Sequence, residues 1–536
     1  MSDLLNSASL VVIPSGYKED TVYSVVPSDG SGDLAFTRAS NGTRINSAGL
    51  VEVCPWNFMQ QSNAFSTSPW AKSNTTLTSG QSDPNGGTSA WKVEFAGGGN
   101  AYLGQFAIGQ IGVVTISAYF RADSTTTIGF NDGSAYANSI TIGTTWQRYE
   151  FSYTVSGVQC NMQIDNYFGV SPSGQAKTFY IYGAQLNIGS TAKPYFPTTD
   201  RLNVPRLTYQ NGGGGCPSLL LEKQSTNIVK YSEQLDNTGQ WNTFTSGTGS
   251  VTITANYATS PDGTQNADRL QLIGGSGYAF LGADVTVTNG ATYTYSVWLK
   301  ALSGTPNVAV IYDGSTVQNA TLTSEWVRYT FNFVGTGGVT YPRVGVWQAN
   351  WGTSLNADVL AWGAQLEASS YPTSYIPTTS SSATRVADVC TKTGIGALIG
   401  GTSGTVFFDI KTNPTLSSAN YKQFCYYFTS GGAQSYMFLD GANKIQTNSN
   451  WGSLFYNTAF QPNTRYKVAL VYAPNDFALY VNGVSVATAS SGTPNNNVDL
   501  QIGQFNGSEN CEFVFNQYTH FPSRLTNAEL ASLTTI

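Results

Sequence analysis

From Val113 to Phe120, and again from Thr292 to Lys300, apolar or aromatic residues alternate with small polar ones. A period of two is the signature of a half-buried strand, whose successive side chains point to opposite faces. Trp146-Gln-Arg-Tyr-Glu-Phe151 reads the same way and returns 180 residues on as Trp326-Val-Arg-Tyr-Thr-Phe331. Gly183-Ala-Gln-Leu186 and Tyr195-Phe-Pro-Thr-Thr199 return at the same shift, as Gly363-Ala-Gln-Leu366 and Tyr375-Ile-Pro-Thr-Thr379. Upstream, Ser117-Ala-Tyr-Phe-Arg-Ala122 answers Ser296-Val-Trp-Leu-Lys-Ala301, and the turn Pro84-Asn-Gly answers Pro261-Asp-Gly. Collinear matches at one offset mark an internal duplication. Short strands with frequent turn signals predict that each copy is a jelly-roll β-sandwich.

The remainder is β as well. Thr405-Val-Phe-Phe-Asp-Ile410, Tyr466 to Tyr472 and Phe477 to Gly483 read as strands of a third sandwich. Thr526 followed by Glu529 is a capping box, predicting one short terminal helix. The fold class expected is all-β: tandem duplicated jelly-roll sandwiches followed by a concanavalin/laminin-G-like sandwich. The expected boundaries are a docking segment at 1–55, a first sandwich at 56–205, a linker at 206–226, a second sandwich at 227–385, a linker at 386–392 and a third sandwich at 393–536. The leading 55 residues are too few for a core of their own, so they are expected to order only against a partner.

Composition supports folded domains: 40% hydrophobic, 13% aromatic and only 10% charged residues. Net charge is −6 without any Lys/Arg block, which argues against nucleic-acid binding. No apolar run is long enough to span a bilayer. Leu10-Val-Val-Ile13 has no basic residue before it, so it does not read as a secretory leader. Six cysteines, widely spaced and without a CxxC pair, are expected to be reduced.

Leu479-Tyr-Val-Asn-Gly-Val484 and Arg524-Leu-Thr-Asn-Ala-Glu-Leu530 give the last module its resemblance to laminin-G-like, concanavalin-type sandwiches. The two copies resemble the jelly rolls of carbohydrate-binding modules. The connecting segments are Phe36-Thr-Arg-Ala-Ser40 with Thr43 to Glu52, and Val204-Pro-Arg-Leu-Thr-Tyr209 with Pro217 to Asn227. They are similar to an architecture found in tailed-phage fibre, head-spike and capsid-decoration proteins. That resemblance implies a virion surface protein, a head fibre, decoration or tail-associated adhesin, made in the host cytoplasm. It implies other virion proteins as partners through the N-terminal segment, contact with host or environmental glycans, and a trimer by analogy. The alternatives are a receptor-recognising tail protein or a polysaccharide depolymerase.

Catalytic patterns are sparse. His520 is the single histidine of the chain and is expected to be structural. Glu509-Asn-Cys-Glu512 lacks the middle acid of the Glu-x-Asp-x-x-Glu strand used by sandwich glycosidases, so no enzyme activity is expected. Asn211 to Gly215 has no Lys-Ser/Thr to form a phosphate loop. No cofactor is expected; structural Ca²⁺ at Asp83 or Asp262 is the one metal reading, set against plain turn roles. Aromatics common to both copies (Trp146 with Trp326, Trp70 with Trp241) read as packing residues. The divergent Trp347 and Trp351, which align with Tyr167 and Ser171, together with Arg343, are the ligand-binding candidates.

Overall fold

The computed structural model describes the chain except Met1 and residues 110–111, 135, 156–159, 211–212, 312–316, 419–420, 433, 450–452 and 504–510. Strands hold 47% of the residues and helices 4%. The fold is all-β, with two jelly-roll sandwiches and a concanavalin/laminin-G-like sandwich. Two compact units result: residues 53–202, and residues 1–52 together with 203–536.

The first sandwich, 53–202, packs two five-stranded antiparallel sheets. One has the order Ser139–Ile142, Thr126–Asn131, Met162–Asp165, Tyr102–Gln105, Ala71–Ser73. The other runs Gln147–Val155, Gly112–Arg121, Lys177–Ile188, Ala90–Phe95, Thr75–Gln81. Phe65, Trp70, Leu103, Ile116, Phe120, Ile164 and Phe179 fill the space between them. The second sandwich repeats this plan, with Trp241–Thr245, Ala279–Ala283, Arg343–Val346, Asn307–Ile311 and Val317–Thr321 in one sheet. Ser250–Ala258, Ala267–Ile273, Asn356–Glu367, Thr292–Ala301 and Val327–Val334 form the other.

A buried asparagine closes each sandwich in the same way. Asn57 donates to the carbonyls of Ala184 and Phe196 and accepts from the amides of Met59 and Leu186. Asn227 makes the corresponding four bonds to Ala364, Ile376, Val229 and Leu366. The recurring Gly-Ala-Gln-Leu and Tyr-x-Pro-Thr-Thr segments are what these asparagines hold. Gln185 and Gln365 accept from the amides of Phe196 and Ile376, and Ser62 and Ser232 from those of Thr198 and Thr378. Side chains that satisfy buried backbone groups are costly to replace, which explains the repetition.

The third sandwich corrects the expected boundaries. It is assembled from three separated stretches of chain. Leu10–Val12 pairs with Phe513–Phe521 in one sheet, through Leu10 with His520. Ser218–Leu220 pairs with the same long strand, and Arg206–Thr208 pairs with Ser218–Leu220. In the other sheet, Tyr17–Lys18, Thr21–Val22 and Leu34–Thr37 lead to Val389–Lys392. Leu10, Phe36 and Leu219 therefore lie in one core with Phe408, Phe424 and Tyr518. Residues 1–52 are integral strands of this sandwich, not a free docking segment. Residues 206–222 are likewise strands rather than linker, and both jelly rolls are excursions from the body of the third sandwich.

Five buried charges sit where the excursions begin and end. Asp388 accepts from Arg38 Nη1 at 2.8 Å and from Arg206 Nη2, and also from the amide of Glu222 at 2.8 Å. Glu222 accepts from Arg206 Nη1 at 2.8 Å, from the Ser374 hydroxyl and amide, and faces Arg385 at 3.5 Å. Arg38 further binds the carbonyl of Val204, and its own amide donates to Asn203 Oδ1. Burial alone would raise the Glu222 carboxyl, but Arg385 and Arg206 outweigh it and hold the group down at about 2. Burial likewise opposes ionisation of Asp388, and Arg206, Arg38 and Arg385 reverse it.

Two outcomes follow for stability. Asp388→Ala leaves buried arginines uncompensated and is expected to cost about 3–5 kcal/mol, measured as a lowered urea midpoint for the third sandwich. Removing residues 1–52 is expected to leave that sandwich without native near-ultraviolet circular dichroism; an unchanged spectrum would refute its three-part assembly.

Candidate functional site

Strand alternation puts every second residue of Arg343–Val346 on the outside of its sheet. Val344 and Val346 enter the core, while Arg343 and Gly345 face outward, with Trp347 next in the same register. Arg343 pairs across the ladder with Gly282, and Gly345 with Phe280. A Cβ on Gly345 would lie 2.2 Å from Phe280 Cδ1, and one on Gly282 2.6 Å from Arg343 Cγ. Each glycine therefore clears the ground for the flat side chain opposite it. The Arg343 guanidinium lies over the Phe244 ring at 4.1 Å and near Tyr341 at 5.3 Å.

Trp347 and Trp351 bracket the single helical turn Gln348–Trp351, so they fall four residues apart on one side of it. Their rings meet edge to face at 4.7 Å. Trp347 also packs on Tyr278 at 4.8 Å, and Trp351 on Phe280 at 5.4 Å. Gly352, at φ 63°, ends the turn in the left-handed region, and the Thr353 hydroxyl accepts from the Trp347 amide at 2.7 Å. Both tryptophans stay half-exposed, and both belong with Phe244, Tyr278 and Phe280 to a cluster outside the core. The three candidates named from sequence thus share one outer face. Phe244, Tyr278, Phe280 and Tyr341 were not anticipated, although glycines facing each other's strands at 282 and 345 were a signal for a cleared surface.

The corresponding face of the first sandwich has different chemistry. Gln163, Asp165 and Tyr167 stand 180 positions before Arg343, Gly345 and Trp347. Gln163 donates to Asp165 Oδ2 at 2.9 Å and to the Tyr167 hydroxyl at 3.1 Å. Asp165 also accepts from Asn131 and from the amides of Tyr167 and Phe168. This face closes on itself with hydrogen bonds, whereas the second sandwich presents rings.

Other candidates take structural positions. His520 is buried between the Ser9 hydroxyl, 3.1 Å from Nδ1, and the Tyr472 hydroxyl, 2.8 Å from Nε2. Glu512 is buried and accepts from the Ser417 amide and hydroxyl; Glu509 lies outside the described residues, as do Asn211 and Gly212. Asp83 caps its turn by accepting from the amides of Asn85, Gly87 and Ser89. Asp262 does so through the amide and hydroxyl of Thr264 and the Ser260 hydroxyl. Trp70 and Trp241 are core residues as expected, while Trp146 and Trp326 lie on outer faces.

No family model matches the chain, and neither does any curated protein. Among solved structures it is similar to the CBM40 of a Ruminococcus gnavus sialidase bound to α2,3-sialyllactose, at 18% identity over 25% of this chain and 83% of that one, with a TM-score of 0.22. It is also similar to the tandem CBM22 domains of Paenibacillus barcinonensis Xyn10C, at 12% identity over 58% and 98%, TM-score 0.19. Domains LG4-5 of the mouse laminin α1 chain match at 11% identity over 45% and 84%, TM-score 0.17. At these scores the likenesses carry no argument about what this chain binds.

One buried carboxyl gives the second sandwich a pH dependence. Burial, with the nearby Asp262 charge, pushes Glu233 up to about 8; Asn266 Nδ2 lies 3.3 Å from Glu233 and 3.4 Å from Asp262. A raised carboxyl favours the fold fully below its ordinary value of 4.5 and loses that contribution as pH rises through about 8. His520 acts at the other end. Burial lowers it from 6.5 to about 4, so its neutral form is favoured and stability falls as pH drops across that interval. Thermal unfolding between pH 4.5 and 8 is expected to show a decline that Glu233→Gln flattens; an identical slope in the variant would contradict the assignment.

Proposed function

We propose that this chain is a glycan-binding structural protein exposed on the surface of a phage particle, and that the outer face around Arg343, Trp347 and Trp351 is its sugar site. The observation that carries the binding reading is the glycine-cleared row of rings beside a guanidinium. Pyranose rings offer C–H faces that pack on aromatic side chains, and hydroxyls that accept from a planar, permanently charged donor such as Arg343. Half-exposed tryptophans held by a helical turn and by neighbouring rings lose little freedom when a ligand arrives. The virion reading is supported by the connecting segments at 36–52 and 204–227 and their resemblance to phage surface proteins. A chain of compact sandwiches suits a decoration or short adhesin better than a long shaft, which requires heptads or short repeats.

Binding of the full chain to a glycan array, followed by calorimetry on the best hit, tests the site. Trp347→Ala and Arg343→Ala are each expected to weaken binding at least tenfold, roughly 1.4 kcal/mol. Tyr167→Ala, on the corresponding face of the first sandwich, is expected to leave binding unchanged. Equal affinity in all three variants would remove the site. Copy number and location in purified particles test the virion reading separately, and absence from particles would end it.

A further inference from the structure

The opposite outer face, on the long sheet, also exists twice, and in one copy something sits on it. In the second sandwich Trp298, Trp362 and Tyr375 form a ring cluster with centroid distances of 5.2, 5.4 and 4.7 Å. Arg328 lies over Trp298 at 4.5 Å and donates to the Ser296 hydroxyl at 2.9 Å. The hairpin spanning residues 42–52 covers this cluster. Val51 and Ile45 pack on the rings, which are 9%, 1% and 3% exposed. Thr43 Oγ1 donates to the Tyr375 carbonyl, the Val51 amide donates to the Pro261 carbonyl at 2.9 Å, and Leu50 reaches the turn at Gly263. A Cβ on Gly263 would be 2.8 Å from Leu50 Cδ1.

The first sandwich carries the same receptor. Tyr119, Tyr182 and Tyr195 replace the three rings, at 5.9 and 5.6 Å between successive centroids. Arg148 lies over Tyr119 at 5.6 Å and donates to the Ser117 hydroxyl at 2.9 Å, as Arg328 does to Ser296. Here all three rings and Arg148 remain half-exposed. Gly86, the counterpart of Gly263 at the same φ of 85°, has no described atom within 4 Å of where its Cβ would be.

We infer that this face of the first sandwich is a protein-docking surface that receives a β-hairpin of another polypeptide, one bearing an aliphatic pair at facing positions and a leucine at its turn, as residues 42–52 do. The seated hairpin of the second copy identifies the occupant's chemistry. The same carbonyl and turn positions recur at Tyr195, Pro84 and Gly86 to receive its polar and apolar contacts. Tyrosine in place of tryptophan suits a surface that must stay wettable while vacant. This inference does not depend on the glycan reading, which concerns the other sheet.

The test uses the full chain and a synthetic peptide of residues 42–54 with Cys54→Ser. Hydrogen exchange is expected to slow at 117–121 and 180–184 as the peptide is added. Tyr182→Asp is expected to weaken binding at least tenfold and Tyr182→Phe to retain it. Asn85→Trp, on the exposed turn beside Gly86, blocks the same ground without entering the core. Protection confined to 296–300 and 360–364, or none at millimolar peptide, would overturn the proposal. So would a glycan whose binding is lost in Tyr182→Asp and Asn85→Trp, since the face would then be a sugar site.

Discussion

Three arginines and two acids buried together, without water to share the charge, form the constraint on which the larger unit rests. Desolvating such groups is expensive, and their mutual attraction offsets the expense only when every partner is in place. Arg38, Arg206, Glu222, Arg385 and Asp388 come from four passes of the chain, so the cluster is satisfied only when those passes meet. Apolar contacts would tolerate a shifted register at this junction. A charge network with fixed hydrogen-bond geometry does not, and this ties the entry and exit of the second excursion to the first and last strands of the third sandwich.

Much of the strand pattern was legible. Alternation gave the long sheets of both jelly rolls, and the constant offset exposed the duplication. The N-terminal stretch was illegible for a definite reason: Leu10-Val11-Val12 has no alternation, because it is covered on both sides, and its pairing partner stands at the far end of the sequence. Buried arginines were equally hidden. Arg38 and Arg206 stood inside recognisable segments, but nothing in their neighbours marks them as fully enclosed. For the site, divergence between copies singled out Trp347 and Trp351. The rings that complete the face lie on strands distant in sequence, so only the ladder brings Phe280 over Gly345.

Comparison of the copies separates what the scaffold needs from what it carries. The Asn57 and Asn227 locks, the Gln185 and Gln365 bridges and the arginines over the long sheet are the same in both. The outer faces have exchanged chemistry around that frame. One short-sheet face became a polar, self-satisfied surface and the other a row of rings; one long-sheet face is capped and the other half-exposed.

The pairing of Leu10 with His520 has a consequence for how the protein is made. Two strands about 510 residues apart in sequence leave a ribosome about 25–100 s apart at ordinary synthesis rates. During that interval each jelly roll has all its own strands and can fold on emergence, while the first fifty residues wait with their apolar side chains unsatisfied. The third sandwich is then the last to close, its rate limited by a long search between distant segments. Synthesis interrupted anywhere before the final strand yields a molecule with finished jelly rolls and an open, sticky remainder. The interleaved order thus turns closure of the third sandwich into a signal that translation has run through its final strand.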